Sequence, residues 1–115
     1  MTTLYGIPNC DTVKKAKKWL TQHNICYSFH DYRKDGLDEK LLHTFLEELS
    51  WMELLNKRST SYRGLSQEQK DNLTQETAIA LFIEFPTLIK RPLLISKNSA
   101  LLGFKPQSYQ TLFAL

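Results

Sequence analysis

Thr3-Leu4-Tyr5-Gly6-Ile7-Pro8-Asn9-Cys10-Asp11-Thr12-Val13 joins a short β-forming run to a helix through a tight polar loop. Thr3, Leu4, Tyr5 and Ile7 favour a strand over residues 3–7, and Pro8-Asn9 ends it. From Asp11 to about His23 the apolar period becomes helical. Val13, Ala16 and Leu20 recur at intervals of three and four, and Trp19 widens that face. Lys14, Lys15, Lys17 and Lys18 occupy the remainder. Asp11 suits the N-cap or the first turn. Ile25-Cys26-Tyr27-Ser28-Phe29-His30 alternates apolar and polar residues and predicts a second strand, with Cys26 structural within it. The turn signal Lys34-Asp35-Gly36 follows. Strand, helix and strand in so short a span make a βαβ unit with a right-handed crossover.

Beyond the turn the pattern is helical. Asp38 caps a segment carrying Leu41, Leu42, Phe45 and Leu49, and Ser50 caps Trp51–Leu55. Residues 56–65 read as a polar loop. Ser66 caps another short helix, and a longer one runs through Ala78, Leu81, Phe82 and Phe85 until Pro86 stops it. Leu93–Ser96 and Ala100–Phe104 predict a hairpin turned by Lys97-Asn98-Ser99. Pro106 opens a C-terminal helix through Tyr109, Leu112 and Phe113. The predicted order is β-α-β, a helical insert over about 38–86, then β-β-α. No repeat, linker or low-complexity stretch interrupts it, so residues 1–115 are expected to form one domain.

Composition narrows the function classes. The chain is 42% hydrophobic, enough for a core, yet no apolar run reaches the roughly 20 residues of a membrane-spanning helix. No basic region precedes an apolar stretch, so a cytoplasmic protein is expected, with no membrane partner. A net charge of +3 permits an anionic ligand without announcing direct nucleic-acid binding. Two cysteines in the cytosol argue for free thiols. With His23, His30 and His43 outside any H-x₃-H or H-E-x-x-H spacing, no metal is expected, nor a nucleotide cofactor.

Cys10 stands where the strand has ended and the helix is about to begin. Free N–H groups and the positive end of the helix dipole stabilise an anion there, and a thiolate is one. Lys14, one turn on, adds to that field. The alternative reading is a small buried filler, since free cysteine is often buried. Val13 occupies the place of the second cysteine of a C-x-x-C pair, so a reaction at Cys10 must borrow its second thiol. In Leu88-Ile89-Lys90-Arg91-Pro92-Leu93-Leu94, Arg91 stands just before a strand. Its planar fork suits a carboxylate or oxyanion, and a surface ion pair is the alternative.

The opening, Thr3 to Thr12, and Leu88-Ile89-Lys90-Arg91-Pro92-Leu93 resemble the arsenate reductase (ArsC)/Spx family. Phe29-His30-Asp31-Tyr32-Arg33, Leu54-Leu55-Asn56-Lys57-Arg58-Ser59-Thr60 and Leu101-Leu102-Gly103-Phe104 bring the chain closest to its YffB-like branch. The resemblance implies a thioredoxin-like α/β fold: a four-stranded mixed sheet flanked by helices, with a helical insertion between strands 2 and 3. It also implies a bacterial protein, and a cis Arg91–Pro92 bond facing the cysteine loop. Arsenate reductases of the family hold their oxyanion with three arginines, of which only Arg91 matches here. The others fall on Asn56, with Arg58 two residues later, and on Phe104 or Lys105. A small oxyanion needs converging bidentate donors, so these replacements argue against efficient arsenate reduction.

The resulting expectation is a glutathione-dependent thiol oxidoreductase with Cys10 as its single nucleophile. Arg91, preceding Pro92, would bind a glutathione carboxylate or a substrate oxyanion. Asn9, Asp11, Thr12 and Lys14 would line the anion site, and Arg58 and Arg63 would supply further cations. The alternative is a non-catalytic Spx-type adaptor for RNA polymerase. A separate redox protein is the other partner expected.

Overall fold

The computed structural model describes residues 2–115. Its elements are β1 (Thr2–Gly6), α1 (Asp11–Gln22), β2 (Ser28–Asp31), α2 (Glu39–Leu46), α3 (Trp51–Leu54), α4 (Thr60–Arg63), α5 (Gln67–Asp71), α6 (Gln75–Glu84), a 3₁₀ turn (Pro86–Leu88), β3 (Leu93–Ser96), β4 (Ser99–Leu102) and α7 (Pro106–Leu112). The sheet order is β2-β1-β3-β4. β1 runs parallel to β2, with Tyr5 opposite His30, and antiparallel to β3, with Leu4 opposite Leu94. β3 and β4 form the expected hairpin. This mixed four-stranded sheet with its helices is the thioredoxin-like α/β arrangement.

The chain clusters into two compact units. One comprises the residues up to Gly36 together with Arg91–Leu115, and the other is Leu37–Lys90. The first unit holds the sheet. Its buried cluster is Leu4, Val13, Ala16, Trp19, Leu20, Leu94 and Tyr109. Leu4 and Leu94 come from one sheet face and the next four from the apolar stripe of α1, which buries Val13, Ala16, Trp19 and Leu20. Tyr109 of α7 meets the Trp19 ring edge-on at 5.5 Å and the Phe104 ring at 4.9 Å.

The second unit contains the predicted helical insert. α2 and α3 pack against α6, and α4 packs on the 3₁₀ turn. Leu55 and Ile89 form an isolated antiparallel bridge, flanked by Asn56 N–H donating to the Leu88 carbonyl at 2.7 Å and Lys90 N–H donating to the Leu54 carbonyl at 2.8 Å. Ser61 and Thr87 share a hydroxyl hydrogen bond. Ser50, Ser66 and Thr74 each close a capping box, on α3, α5 and α6. Asp38 caps α2 by accepting from the Leu41 N–H at 2.8 Å. Asp38→Ala should therefore lower stability by about 1 kcal/mol, read as a fall of about 4 °C in the thermal midpoint.

Five expectations need correction. The second strand begins at Ser28, not Ile25: the Ile25 N–H donates to the Leu20 carbonyl at the end of α1, and pairing with β1 starts only at Thr3 opposite Ser28. Cys26 accordingly is exposed and lies outside the strand. Within 56–65 the chain makes a helical turn, α4, because the Ser59 hydroxyl accepts from the Tyr62 N–H and supplies a cap that a polar run conceals. Finally, the last strand ends at Leu102, and Phe85 is 38% exposed beyond the end of α6. Gly103, at φ +76°, takes the chain out of the strand through the left-handed region.

Candidate functional site

The site is built at the end of β1. Gly6 and Ile7 are buried, Pro8 and Asn9 are exposed, and Cys10 is half-buried with one side against the core cluster. Cys10 is the N-cap of α1, with extended backbone at φ −93° and ψ 126°. Its N–H donates to the Ile7 carbonyl at 3.3 Å, which closes the loop, and its own carbonyl accepts the first helical bond from the Lys14 N–H at 3.0 Å. No side chain caps this helix. The first-turn N–H groups have no partner in the helical ladder, so they suit an anion held near the sulfur. Thr12 is half-buried, while Asp11 and Lys14 are exposed on the same turn of α1. Val13 is fully buried, so the position three residues after Cys10 serves the core.

Pro92 stands on the other side of Gly6. A Cβ placed on Gly6 would lie 3.0 Å from Val13 Cγ2 and 4.0 Å from Pro92 Cα. The absence of a side chain at Gly6 is what lets Val13, in the first turn of α1, close on this strand end, while Pro92 lies at ordinary contact distance. The Arg91–Pro92 peptide is cis. The Pro92 carbonyl accepts from the Gly103 N–H at 2.9 Å, and Arg91 is half-buried.

Tyr32 was not foreseen as part of this neighbourhood. It follows β2, its N–H donates to the Gly6 carbonyl at 3.0 Å, and it is 3% exposed. Its ring stacks with Tyr5 at 6.5 Å and meets the ring of His30 at 6.2 Å. The β1–β2 register carries the signal, and register cannot be read from one strand alone. Burial pushes the Tyr32 phenol well above its ordinary range, Tyr5 adds to that, and the Arg91 charge opposes it. Burial also raises Tyr109 and Tyr5.

These shifts predict alkaline sensitivity. An unfolded tyrosine loses its proton near 10.0, whereas the folded chain retains it. Stability is then whole below pH 10 and falls as pH rises above it, because unfolding releases protons there. Urea midpoints measured between about pH 8 and about pH 11 should show this fall, and Tyr32→Phe should make it shallower.

The other expected cations belong to the second unit. Arg58 is exposed, and its N–H donates to Asn56 Oδ1 at 3.0 Å. Arg63 ends α4, its guanidinium 3.4 Å from Thr60 Oγ1. Asn56 is engaged in that turn through its carbonyl, which accepts from Ser59, and its side chain, while its N–H donates to the Leu88 carbonyl. In the first unit, Phe104 packs its ring on Tyr109 and Lys105 is the exposed N-cap of α7. Among the described residues no group of three or more His, Cys, Asp or Glu is placed to hold a metal ion. Nor is any described helix long and apolar enough to cross a membrane.

Three proteins are similar to this chain over most of its length. An uncharacterised protein of Haemophilus influenzae is 50% identical over 114 residues, covering 99% of this chain and all of that protein. The structure of a YffB protein superposes with a TM-score of 0.90 at 41% identity, covering 96% of this chain and 97% of that one. The global transcriptional regulator Spx of Streptococcus agalactiae is 28% identical over 109 residues, covering 90% of this chain and 77% of the regulator. A transcriptional regulator is thus among the proteins to which the chain is similar. Residues 5–112, from the middle of β1 to the end of α7, match the ArsC family throughout, and the chain belongs to that family.

Proposed function

We propose that the protein is a thiol oxidoreductase in which Cys10 is the single nucleophile and glutathione the reductant. The observation that carries this reading is the half-buried Cys10 at the N-terminus of α1, where no side chain caps the helix. In the first step the Cys10 thiolate attacks the glutathione sulfur of a mixed disulfide. That bond breaks, the substrate thiolate leaves, and Cys10 becomes glutathionylated. A second glutathione thiolate then attacks the adduct, releasing glutathione disulfide and restoring Cys10. Each cycle consumes one glutathione and one mixed disulfide and yields one substrate thiol and one glutathione disulfide, with no second protein thiol needed. A small oxyanion is the other substrate class, and a redox protein the other source of the resolving thiol.

Arg91 would bind the anionic part of the incoming molecule, with the first-turn amides of α1 and the side chains of Asn9, Thr12 and Lys14 nearby in sequence. Asp11 would help to fix that turn. Arg58 and Arg63 remain proposed as supplementary cations. The packing role of Phe104 and the turn role of Asn56 support a glutathione ligand over arsenate, which needs three converging arginines.

The test is turnover of a glutathione mixed disulfide, with glutathione disulfide measured as product. Wild-type protein should accelerate the reaction, and Arg91→Ala should raise KM for glutathione about tenfold with a smaller change in kcat. No acceleration by the wild type defeats the reading. The match to Spx favours a second one, an adaptor that contacts RNA polymerase. Polymerase binding undiminished by Cys10→Ser, in a protein without turnover, would establish that alternative.

A further inference from the structure

Charge is divided unequally along the chain. The unit that holds the sheet carries nine lysines and arginines against three carboxylates, Asp11, Asp31 and Asp35. The unit over Leu37–Lys90 carries six against nine. Two of the three acids in the first unit are engaged in the turn after β2. Asp31 Oδ1 accepts from the Arg33 N–H at 2.9 Å, and Asp35 Oδ2 from the Asp31 N–H at 2.9 Å. The basic excess is densest on α1, where Lys14, Lys15, Lys17 and Lys18 stand against the single acid Asp11. Lys17 is turned to the flank, its Nζ 3.6 Å from the centre of the Phe29 ring of β2. Lys14, Lys15 and Lys18 are exposed on the side opposite the buried stripe of Val13, Ala16 and Leu20. Among the described residues no carboxylate pairs with any of the three.

This face starts at the nucleophile. The Lys14 N–H donates to the Cys10 carbonyl at 3.0 Å, so Lys14 stands one turn beyond Cys10 and Lys18 two. At a rise of about 1.5 Å per residue, Lys18 lies about 12 Å along the axis from Cys10. A small disulfide can reach Cys10 without covering α1. A polypeptide disulfide lays the residues flanking its cysteine over neighbouring surface, and the exposed side of the helix that begins at Cys10 is part of it. Acidic flanks gain there from three cations that no carboxylate of the first unit neutralises. An acidic protein fits this face better than nucleic acid does. α1 has no arginine, its one aromatic ring, Trp19, is buried and cannot stack a base, and the nine carboxylates of the other unit repel a long polyanion.

We propose that Lys14, Lys15 and Lys18 form a docking face for protein substrates whose glutathionylated cysteine lies in an acidic segment. The proposal rests on the oxidoreductase reading and names a substrate class for it. The Cys10 thiolate attacks the glutathione sulfur, the Cys10–glutathione disulfide forms, and the substrate cysteine leaves as a thiolate. Lys15 and Lys18 take no part in that exchange. They raise the encounter rate and hold the acidic flanks, an effect that works through charge and is weakened by salt.

Two synthetic peptides test this, each with one glutathionylated cysteine, flanked by glutamates in the first and by glutamines in the second. The quantity read is kcat/KM for the glutamate peptide divided by that for the glutamine peptide, with glutathione as reductant. The ratio should be about fivefold at about 0.02 M salt and fall below about twofold at about 0.5 M. Lys18→Glu should lower the low-salt ratio about threefold, and Lys15→Glu combined with it should bring the ratio to about one or below. Lys97→Glu makes the same change of charge in the β3–β4 turn, next to Ser96, which pairs with Thr2 at the end of β1 away from Cys10. It should leave the ratio unchanged. All three lysines are exposed, so the fold should survive each change. A parent ratio near one, with both peptides turned over, overturns the docking face and leaves the proposed function standing. No turnover of either peptide overturns the proposed function and this inference with it. Equal losses in Lys18→Glu and Lys97→Glu also overturn it, since net charge and not α1 would then be responsible. Inhibition by a short DNA duplex below the KM of the glutamate peptide would overturn it in favour of nucleic acid. Salt-sensitive dimerisation abolished by Lys18→Glu would overturn it in favour of a second copy of the chain.

Discussion

Cys10→Ser will bring glutathione-dependent disulfide turnover down to the uncatalysed rate, a loss of at least about 10³-fold. Serine keeps the shape of the N-cap and the backbone bonds from Cys10 to Ile7 and Lys14, so the loop should survive the change. What disappears is the nucleophile. A hydroxyl at this position is not ionised by helix amides at neutral pH, and an alkoxide does not undergo thiol–disulfide exchange. Serine is also a better helix cap than cysteine, so thermal stability should stay level or rise slightly. Cys26→Ser is the matched control. Cys26 is exposed and lies outside the sheet, so turnover should stay within about twofold of the parent. Residual activity in Cys10→Ser that vanishes on adding Cys26→Ser would move the chemistry to the other thiol.

Tyr109→Ala is expected to be the most destabilising single change in the first unit, at about 3–5 kcal/mol. The residue has no exposed surface and stands at the junction of α1, α7 and the sheet. Its ring meets Trp19 and Phe104 edge-on, and its hydroxyl donates to the Gly103 carbonyl at 3.4 Å. Truncation removes both aromatic contacts and leaves a cavity between elements that cannot all close on it. Against a total stability of about 5–15 kcal/mol for a domain of this size, the loss should show as a large fall in the urea midpoint or as failure to fold. Tyr109→Phe keeps the ring and loses only the long hydroxyl bond, so it should cost about 1 kcal/mol or less. A loss in Tyr109→Ala no greater than in Tyr109→Phe would show that the core does not depend on this ring.

The same tyrosine shows how far local pattern carries. Its spacing with Leu112 and Phe113 marks an apolar helix face, and Val13, Ala16, Trp19 and Leu20 mark another, because burial imposes the helical period on the residues themselves. Caps at Asp38, Ser50 and Ser66 are legible for a similar reason: each interaction closes within three residues. Where an element's boundary depends on a distant partner, pattern fails. Ile25 alternates correctly for a strand, yet its N–H is taken by the end of α1, and Cys26 is left exposed.

Sequence alone determined the order of the strands and of every helix but α4, the place of Cys10 at the head of α1, and the lack of a second cysteine three residues on. Each follows from local periodicity, capping and spacing, which act between neighbours in the chain. Only the tertiary structure brought Tyr32 and the Arg91–Pro92 segment to the end of β1 that carries Cys10. Those residues are separated by tens of positions, and what joins them is strand pairing on both sides of β1. Register is a property of two strands at once, so no single stretch of residues contains it.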